Sequence, residues 1–244
     1  MSRSNPHENG TPNPAVRWFE WNGEHGVVRY YDREAKKNVE VGSDFTFILL
    51  DQLGSVRGWH DASQSGIYSN EVKDTRQDVL VVKAFKGGVL AEGIYKQIKD
   101  RVNNMGGQFV TNCYIAFKNG GTALAIGSMR FKGAALGAWM EFCKNHRADL
   151  YTKAIRIHGF TEGKKGRIVY RMPVLQVVEL SPDTNSIATE RDKELQEFLV
   201  GYLTRNKREQ AEHVGQHLRD EDVGDDYDEP PEPIPPLTDD DIPF

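Results

Sequence analysis

The sequence lacks most of the features by which an enzyme or a membrane protein is recognised. It has only two cysteines, Cys113 and Cys143, without metal-ligand spacing, which argues against a disulfide framework and fits a reducing cytosol. No apolar run approaches the ~18 residues of a transmembrane helix. Phosphate-loop, zinc-protease and nucleophile-elbow motifs are missing, and His213 and His217 have no third ligand nearby. We therefore expect a cytoplasmic protein with no membrane association and without catalytic residues, metal or cofactor.

Basic residues are missing from one end of the chain. From Asp220 to Phe244 there are eleven acidic residues and no Lys or Arg, so residues 1–219 hold all 31 basic residues against 25 acidic ones, a net charge of +6. Five prolines between positions 230 and 236 exclude a helix or central strand. The composition predicts a disordered acidic tail over 209–244, and a disordered polar arm over 1–14. This asymmetry suggests a body that meets a polyanion and a tail that competes with it or meets a basic partner.

The tail ends in three carboxylates and an apolar tripeptide, namely Asp239, Asp240, Asp241, Ile242, Pro243 and Phe244. Most acidic tails only solvate or shield a protein. This C-terminal string, however, resembles the tip of the bacterial single-stranded DNA-binding protein (SSB) family, and the body looks more like the SSB-like proteins of bacteriophages. In that family the tip recruits replication, recombination and repair proteins. The resemblance implies that these six residues bind such partners in a bacterial or phage-infected cytoplasm, in association with the nucleoid.

Between arm and tail, the residue pattern predicts mostly β structure with a few helices. Hairpin turns join most strands and no strand–helix alternation persists, which favours an antiparallel, partly closed barrel over a doubly wound parallel sheet. Helical spacing predicts helices over 90–104, 135–145 and 183–208. Alternating or continuous apolar runs predict strands over 16–31 (one or two strands), 39–41, 45–60 with a kink near Gly54, 67–72, 78–85, 109–118, 122–131, 154–160 and 167–180.

The SSB resemblance refines this pattern into an expected fold. It implies an oligonucleotide/oligosaccharide-binding (OB) barrel over 15–208, with additional strands and helices, that coats single-stranded DNA (ssDNA) without sequence preference. In an OB fold a helix between the third and fourth barrel strands closes the bottom, and 90–104 is the candidate for that helix. The oligomeric state stays open, with a homodimer as one possibility.

Aromatic and basic residues are interleaved along several of the predicted strands. Binding of ssDNA needs cations for the phosphates and flat rings for the bases. Since neighbours on a strand point to opposite faces, we expect Phe85 and Phe131 in the core, whereas Trp59 and Tyr68 can lie on either side. The hairpin tip at 162–166 is expected to be exposed. The candidate ssDNA-binding residues are Arg29, Tyr30, Arg57, Trp59, Tyr68, Lys73, Arg76, Lys83, Lys86, Arg130, Lys132, Lys164, Lys165 and Arg167.

Two other functions remain open from the sequence. A nucleic-acid enzyme with the same tail would need clustered carboxylates for Mg²⁺, and no pair stands out among Asp44, Asp51, Asp61, Asp74 and Asp78. An adaptor could carry the tip to capture host proteins without binding DNA itself. Binding to labelled oligo(dT) separates the adaptor from an ssDNA-binding protein, and a Mg²⁺-dependent cleavage assay tests for the enzyme.

Overall fold

The computed structural model describes residues 12–120 and 123–220, with side chains up to residue 205. The tip at 239–244, with the rest of the predicted tail beyond 220 and most of the predicted arm, lies outside these residues. Residue contacts divide the chain after Gln210. In the described part of the chain, no helix is long and apolar enough to cross a membrane.

The described chain is mostly β structure, as the sequence pattern predicts. The helices are α1 (Tyr95–Asn104), α2 (Gly133–Asn145) and α3 (Pro182–Asp220). The strands are β1 (Arg17–Asn22), β2 (Val27–Asp32), β3 (Lys37–Gly42), β4 (Asp44–His60), β5 (Ser65–Ser69), β6 (Leu80–Ala84), β7 (Gly88–Gly93), β8 (Gly107–Lys118), β9 (Leu124–Lys132), β10 (Ala154–Lys165) and β11 (Ile168–Val178).

All of these strands join one open sheet that branches at β4, the longest of them with 17 residues. β8 pairs along one edge of β4, while β10 pairs with the beginning and β5 with the end of the other edge. From β8 the sheet continues through β9, β1, β2 and β3; from β5 it continues through β6 and β7, and β11 pairs with β10. The β1–β9 pair is parallel and the other strand pairs are antiparallel.

The main core lies inside the curved part of this sheet and is closed by α2. Trp139 of α2 is almost fully buried and stacks on Phe131, with ring centroids 4.8 Å apart. The β1–β2 turn meets β11, where the Arg171 amide donates to the Gly23 carbonyl at 2.8 Å and the Trp21 indole donates to the Arg171 carbonyl at 2.8 Å. Strands that are far apart in the pairing order therefore enclose one core.

The outer face of the same sheet is covered at one end by α3. The Ser181 hydroxyl accepts a hydrogen bond from the Thr184 amide and so caps the start of this helix. Its apolar stripe then packs on outward-facing residues of β4, β8 and β9. The buried members of this second cluster include Ile48, Leu50, Tyr114, Ala116 and Ile126 from the sheet and Ala188, Leu195, Phe198 and Leu199 from α3.

A third cluster forms a separate lobe from β5, β6, β7 and α1, where Ile98 and Val102 of α1 are buried. The helix expected at 90–104 therefore begins later, at Tyr95, because residues up to Gly93 form β7. Gly93 has φ of +146°, which L residues rarely adopt, and ends that strand. The expectation that this helix closes the main core is wrong, since α2 occupies that place.

Several element boundaries also differ from the sequence pattern. The irregularity in β4 falls at Leu50, between the pairs formed by Leu49 and Asp51, rather than near Gly54. β10 and β11 continue through the predicted loop at 162–166 and leave a short turn at Gly166, whose φ is +57°. Helix α3 continues to Asp220 rather than ending at 208.

Candidate nucleic-acid interface

The uncovered part of the outer face carries a cluster of aromatic and basic side chains where β4, β5 and β6 meet. Arg57 pairs in register with Tyr68, and Tyr68 with Lys83. Residues paired across adjacent strands point to the same face, so these three side chains form one row. Trp59 lies two residues beyond Arg57 and opposite Gly66, hence on this face too. We call Arg57, Trp59, Tyr68, Lys83 and Phe85 the aromatic platform.

Phe85 completes the platform and was expected in the core, so that prediction is wrong. β6 ends at Ala84, which is buried in the lobe, and the next side chain turns outward. The Phe85 ring lies over Gly66, where an added Cβ would come within 3.3 Å of it. It contacts the Tyr68 ring at a centroid distance of 4.7 Å. Phe85 is 74% exposed and Trp59 53%, so the platform presents wide apolar rings to solvent.

A second polar row crosses β2, β1, β9 and β8 on the same outer face. Arg29, Glu20, Arg130 and Asn112 are paired in register from strand to strand. Arg29 binds Glu20 through Nε at 2.8 Å and Nη2 at 2.6 Å, and Arg130 Nε donates to Asn112 Oδ1 at 3.2 Å. Burial opposes ionisation of Glu20, but the hydrogen bond from Arg29 and the charge of Lys132 outweigh it and lower its pKa. We call these four residues the arginine row.

Glu71 connects the arginine row to the platform. Its carboxylate accepts hydrogen bonds from Asn112 Nδ2 at 2.5 Å and from the Tyr114 hydroxyl at 3.1 Å. Burial raises the pKa of Glu71, although Tyr114 and the charges of Arg57 and Arg130 act in the opposite direction. Burial and the charge of Arg57 also lower the pKa of Arg130, which still remains protonated at neutral pH. The two arginines therefore share one electrostatic environment around this carboxylate.

At its other end the arginine row borders a small cleft of about 220 Å³. Trp18 of β1 and Tyr31 of β2 supply two partly exposed rings, at 43% and 58% exposure. The guanidinium of Arg33 lies 5.2 Å from the centroid of the Trp18 ring. Besides parts of the arginine row, Asn38 and Ser128 provide polar groups to its lining. We call this the Trp18 cleft.

The structure brings together about half of the sequence-predicted residues. Arg29, Arg57, Trp59, Tyr68, Lys83 and Arg130 lie in the rows just described. Lys132 shares the outer face, since its Nζ lies 3.7 Å from a Glu20 oxygen. Lys86 is exposed and follows Phe85 directly.

The other predicted residues lie elsewhere. Tyr30 faces inward and packs on Phe19. Lys73 pairs with Asp51 at 3.0 Å and lines a different cleft beside α2, and Arg76 lies in the loop before β6. The exposed residues Lys164, Lys165 and Arg167 form the tip of the β10–β11 hairpin.

Sequence reasoning did not select Trp18, Tyr31, Phe85 or Asn112 as binding residues. A signal for two of them was present: Trp18 and Glu20 alternate with the buried Phe19 and Trp21, so Trp18 must face outward if those two are core. The same alternation in Arg29-Tyr30-Tyr31 gives Tyr31 rather than Tyr30 the face of Arg29. For Asn112 no signal existed, because its position depends on the β8–β9 register.

Chemically, this face offers stacking surfaces and cations. Among the residues that the structure describes, no group of three or more His, Cys, Asp or Glu side chains could hold a metal ion. Comparison with known proteins gave no match to a family model, to a curated protein or to a solved structure.

Proposed function

We propose that the body of this protein binds ssDNA without sequence preference across the outer face of its sheet. The observation that carries the proposal is the aromatic platform, in which Arg57, Tyr68 and Lys83 alternate cation, ring and cation across three strands, beside the exposed rings of Trp59 and Phe85. Bases stack on the rings, because every base has a flat π face, and phosphates meet the cations.

The mixed character of the platform favours a nucleic acid over a purely apolar partner. Exposed apolar clusters generally mark an interaction site. Here the rings are bracketed by Arg57 on one side and Lys83 on the other, with the exposed Lys86 next to Phe85. A partner that covered the rings would also contact these positive charges, and this contact is favourable when the partner is a polyanion.

We further propose that the curved part of the sheet is an OB-type barrel, formed by β4, β8, β9, β10 and β11 with α2 between the third and fourth of them. The pairing order supports this assignment: the long β4 pairs with both β8 and β10, β9 pairs with β8, and β11 with β10. OB folds bind oligonucleotides on the second and third strands and on the loops that follow the first and fourth. In this order those elements are β8 and β9, the lobe that contains the platform, and the β10–β11 tip.

The tail is proposed to recruit replication, recombination and repair proteins through Asp239–Asp241 and the apolar residues Ile242, Pro243 and Phe244, as in the bacterial and bacteriophage SSB families. The support is the sequence of these six residues together with the charge asymmetry of the chain, +6 over residues 1–219 against eleven acids and no base from Asp220 onwards. The protein would then act in phage-type DNA metabolism as a strand-coating protein rather than as an enzyme.

The decisive experiment is a salt titration of ssDNA binding. We expect oligo(dT) to bind with micromolar or tighter affinity, and log K to fall linearly with log salt, by about 0.7 per phosphate contacted, because binding releases counterions. A chain truncated after residue 238 should bind ssDNA at least as tightly and lose the capture of purified replication proteins. Affinity independent of salt would refute the binding proposal, and unchanged capture by the truncated chain would refute the role of the tip.

A further inference from the structure

We propose that the Trp18 cleft is a second nucleobase site, occupied by a base of the same DNA strand whose other bases stack on the aromatic platform. This inference rests on the proposed function, because it requires ssDNA on the outer face. It adds that the strand crosses the sheet from β5 and β6 to β1 and β2, with separate base contacts at its two ends.

The lining of the cleft suits a flat heteroaromatic ring with polar edges. Trp18 and Tyr31 lie opposite each other on β1 and β2, since the next residues, Phe19 and Tyr30, are paired in register. Their rings offer stacking surface, and Asn38, Ser128 and Glu20 offer hydrogen-bonding groups to a base edge. At about 220 Å³ the cleft is smaller than the ~300–1,000 Å³ pockets of drug-sized ligands, and it therefore fits one base.

The cations of the cleft are already oriented before any ligand binds. Glu20 holds Arg29 through two hydrogen bonds, and Asn112 holds Arg130. Because Glu20 neutralises Arg29, the cleft itself is a weak phosphate site, and stacking rather than charge gives it its contribution. Partners fix Arg29 and Arg130, and the third basic residue, Arg33, lies over the Trp18 ring; this arrangement fits a base subsite better than a free anion site.

One DNA strand can reach both sites. Trp18 is on β1 and Tyr68 on β5, four strand steps apart in the pairing order β1, β9, β8, β4, β5. At about 4.8 Å per step this is roughly 19 Å across the strands. Along the strands, Trp18 is level with Asp51 and Tyr68 with Arg57, which adds about 20 Å, so the two sites are roughly 28 Å apart. Arg130 and Arg57, whose charges both act on Glu71, lie between them. OB folds occupy about 4–16 nucleotides, so an oligonucleotide in the upper half of that range spans both sites and a shorter one does not.

The test compares short and long oligo(dT), about 4 and about 12 nucleotides, on full-length protein, the Tyr31→Ala variant and a matched control, Tyr151→Ala. Tyr151 is equally exposed, at 54%, and does not line the Trp18 cleft. We expect Tyr31→Ala to weaken binding of the long oligonucleotide by about 5-fold to about 150-fold, the effect of one lost base stack, and to leave the short one unchanged. Tyr151→Ala should change neither.

The other outcomes refute either the second site alone or ssDNA binding as a whole. If Tyr31→Ala weakens short and long oligonucleotides equally, or weakens neither while wild type binds both, the second site is refuted and ssDNA binding itself stands. If wild type binds neither, the proposed function fails and this inference with it. Trp18→Ala should reproduce the length-dependent loss of affinity. Thermal unfolding of each variant separates lost binding from lost folding. If Trp18→Ala is unstable, the Tyr31→Ala result alone decides between the outcomes.

Discussion

Substitution of Phe85 should distinguish most clearly between an effect on ssDNA affinity and an effect on the free energy of unfolding. In wild type its ring is 74% exposed, so only about a quarter of the 150–250 Å² that a phenylalanine can bury is removed from water. That is about 50 Å², or roughly 1.3 kcal/mol at ~25 cal/mol per Å². Phe85→Ala should therefore lower the free energy of unfolding by only about 1–2 kcal/mol, including the lost contact with Tyr68.

Binding should suffer at least as much from the same change. Removing one aromatic stacking surface costs ~1–3 kcal/mol per base, which is about 5-fold to 150-fold in affinity. Phe85→Ala removes no charge, so the slope of log K against log salt should stay that of wild type. The measurement is fluorescence anisotropy of labelled oligo(dT) over a range of salt, with chemical denaturation on the same samples.

The control is Phe131, the other phenylalanine that the sequence pattern assigns to the core. It is fully buried and stacks on Trp139, so Phe131→Ala should lower the free energy of unfolding by about 3–5 kcal/mol. If Phe85→Ala binds oligo(dT) as wild type does, the platform does not stack bases and the reasoning fails. A loss of stability as large as that of Phe131→Ala would contradict the exposed position of Phe85.

Two further changes test the charges on the outer face. Lys83→Ala should weaken binding and reduce the salt slope by about 0.7, one phosphate contact on a single strand, whereas an unchanged slope would remove Lys83 from the phosphate path. Burial raises the pKa of Glu71 above 4.5, so its contribution to stability is present at low pH and is lost as pH rises through that raised pKa. Protonation of Glu71 also removes a negative charge beside Arg57, so ssDNA affinity should rise more steeply with falling pH in wild type than in Glu71→Gln. The control is Glu197→Gln, on the exposed side of α3. Parallel pH profiles of ssDNA affinity for wild type and Glu71→Gln would exclude this role of Glu71.

The alternation of apolar residues was enough to find most elements of the fold. Phe131 and the α2 residues Trp139 and Cys143 occur at spacings that assign them to an inner face, and the structure buries or half-buries them there. The prediction that Phe85 lies in the core is wrong because alternation holds only within a strand, and β6 ends one residue before Phe85. The helix predicted from residue 90 begins too early because the short strand at 88–93, which precedes the helix, is too short to show a strand periodicity of its own.

The candidate site was predictable only as a set of residue types. Arg57, Tyr68 and Lys83 are far apart in sequence and become one row through the β4–β5 and β5–β6 registers. A shift of one residue in either pair would turn Tyr68 to the opposite face. Composition therefore indicated which residues could bind ssDNA, but the long-range pairing that assembles them depends on turn geometry and on the packing of the lobe.

The distribution of carboxylates divides the outer face into two parts with different roles. Arg29 is held by Glu20 in a two-point pair, and a phosphate could recruit it only by displacing a charge-assisted bond of comparable strength. None of the ion pairs among the described residues includes Lys83 or Lys86, so a phosphate there displaces only water and counterions. The platform end should thus supply more of the salt-dependent affinity. The Trp18 end should depend more on stacking, although Arg33 there has no carboxylate partner among the described residues. Because salt weakens phosphate contacts more than base stacking, high salt should release the DNA strand from the platform first, while a base remains stacked in the Trp18 cleft.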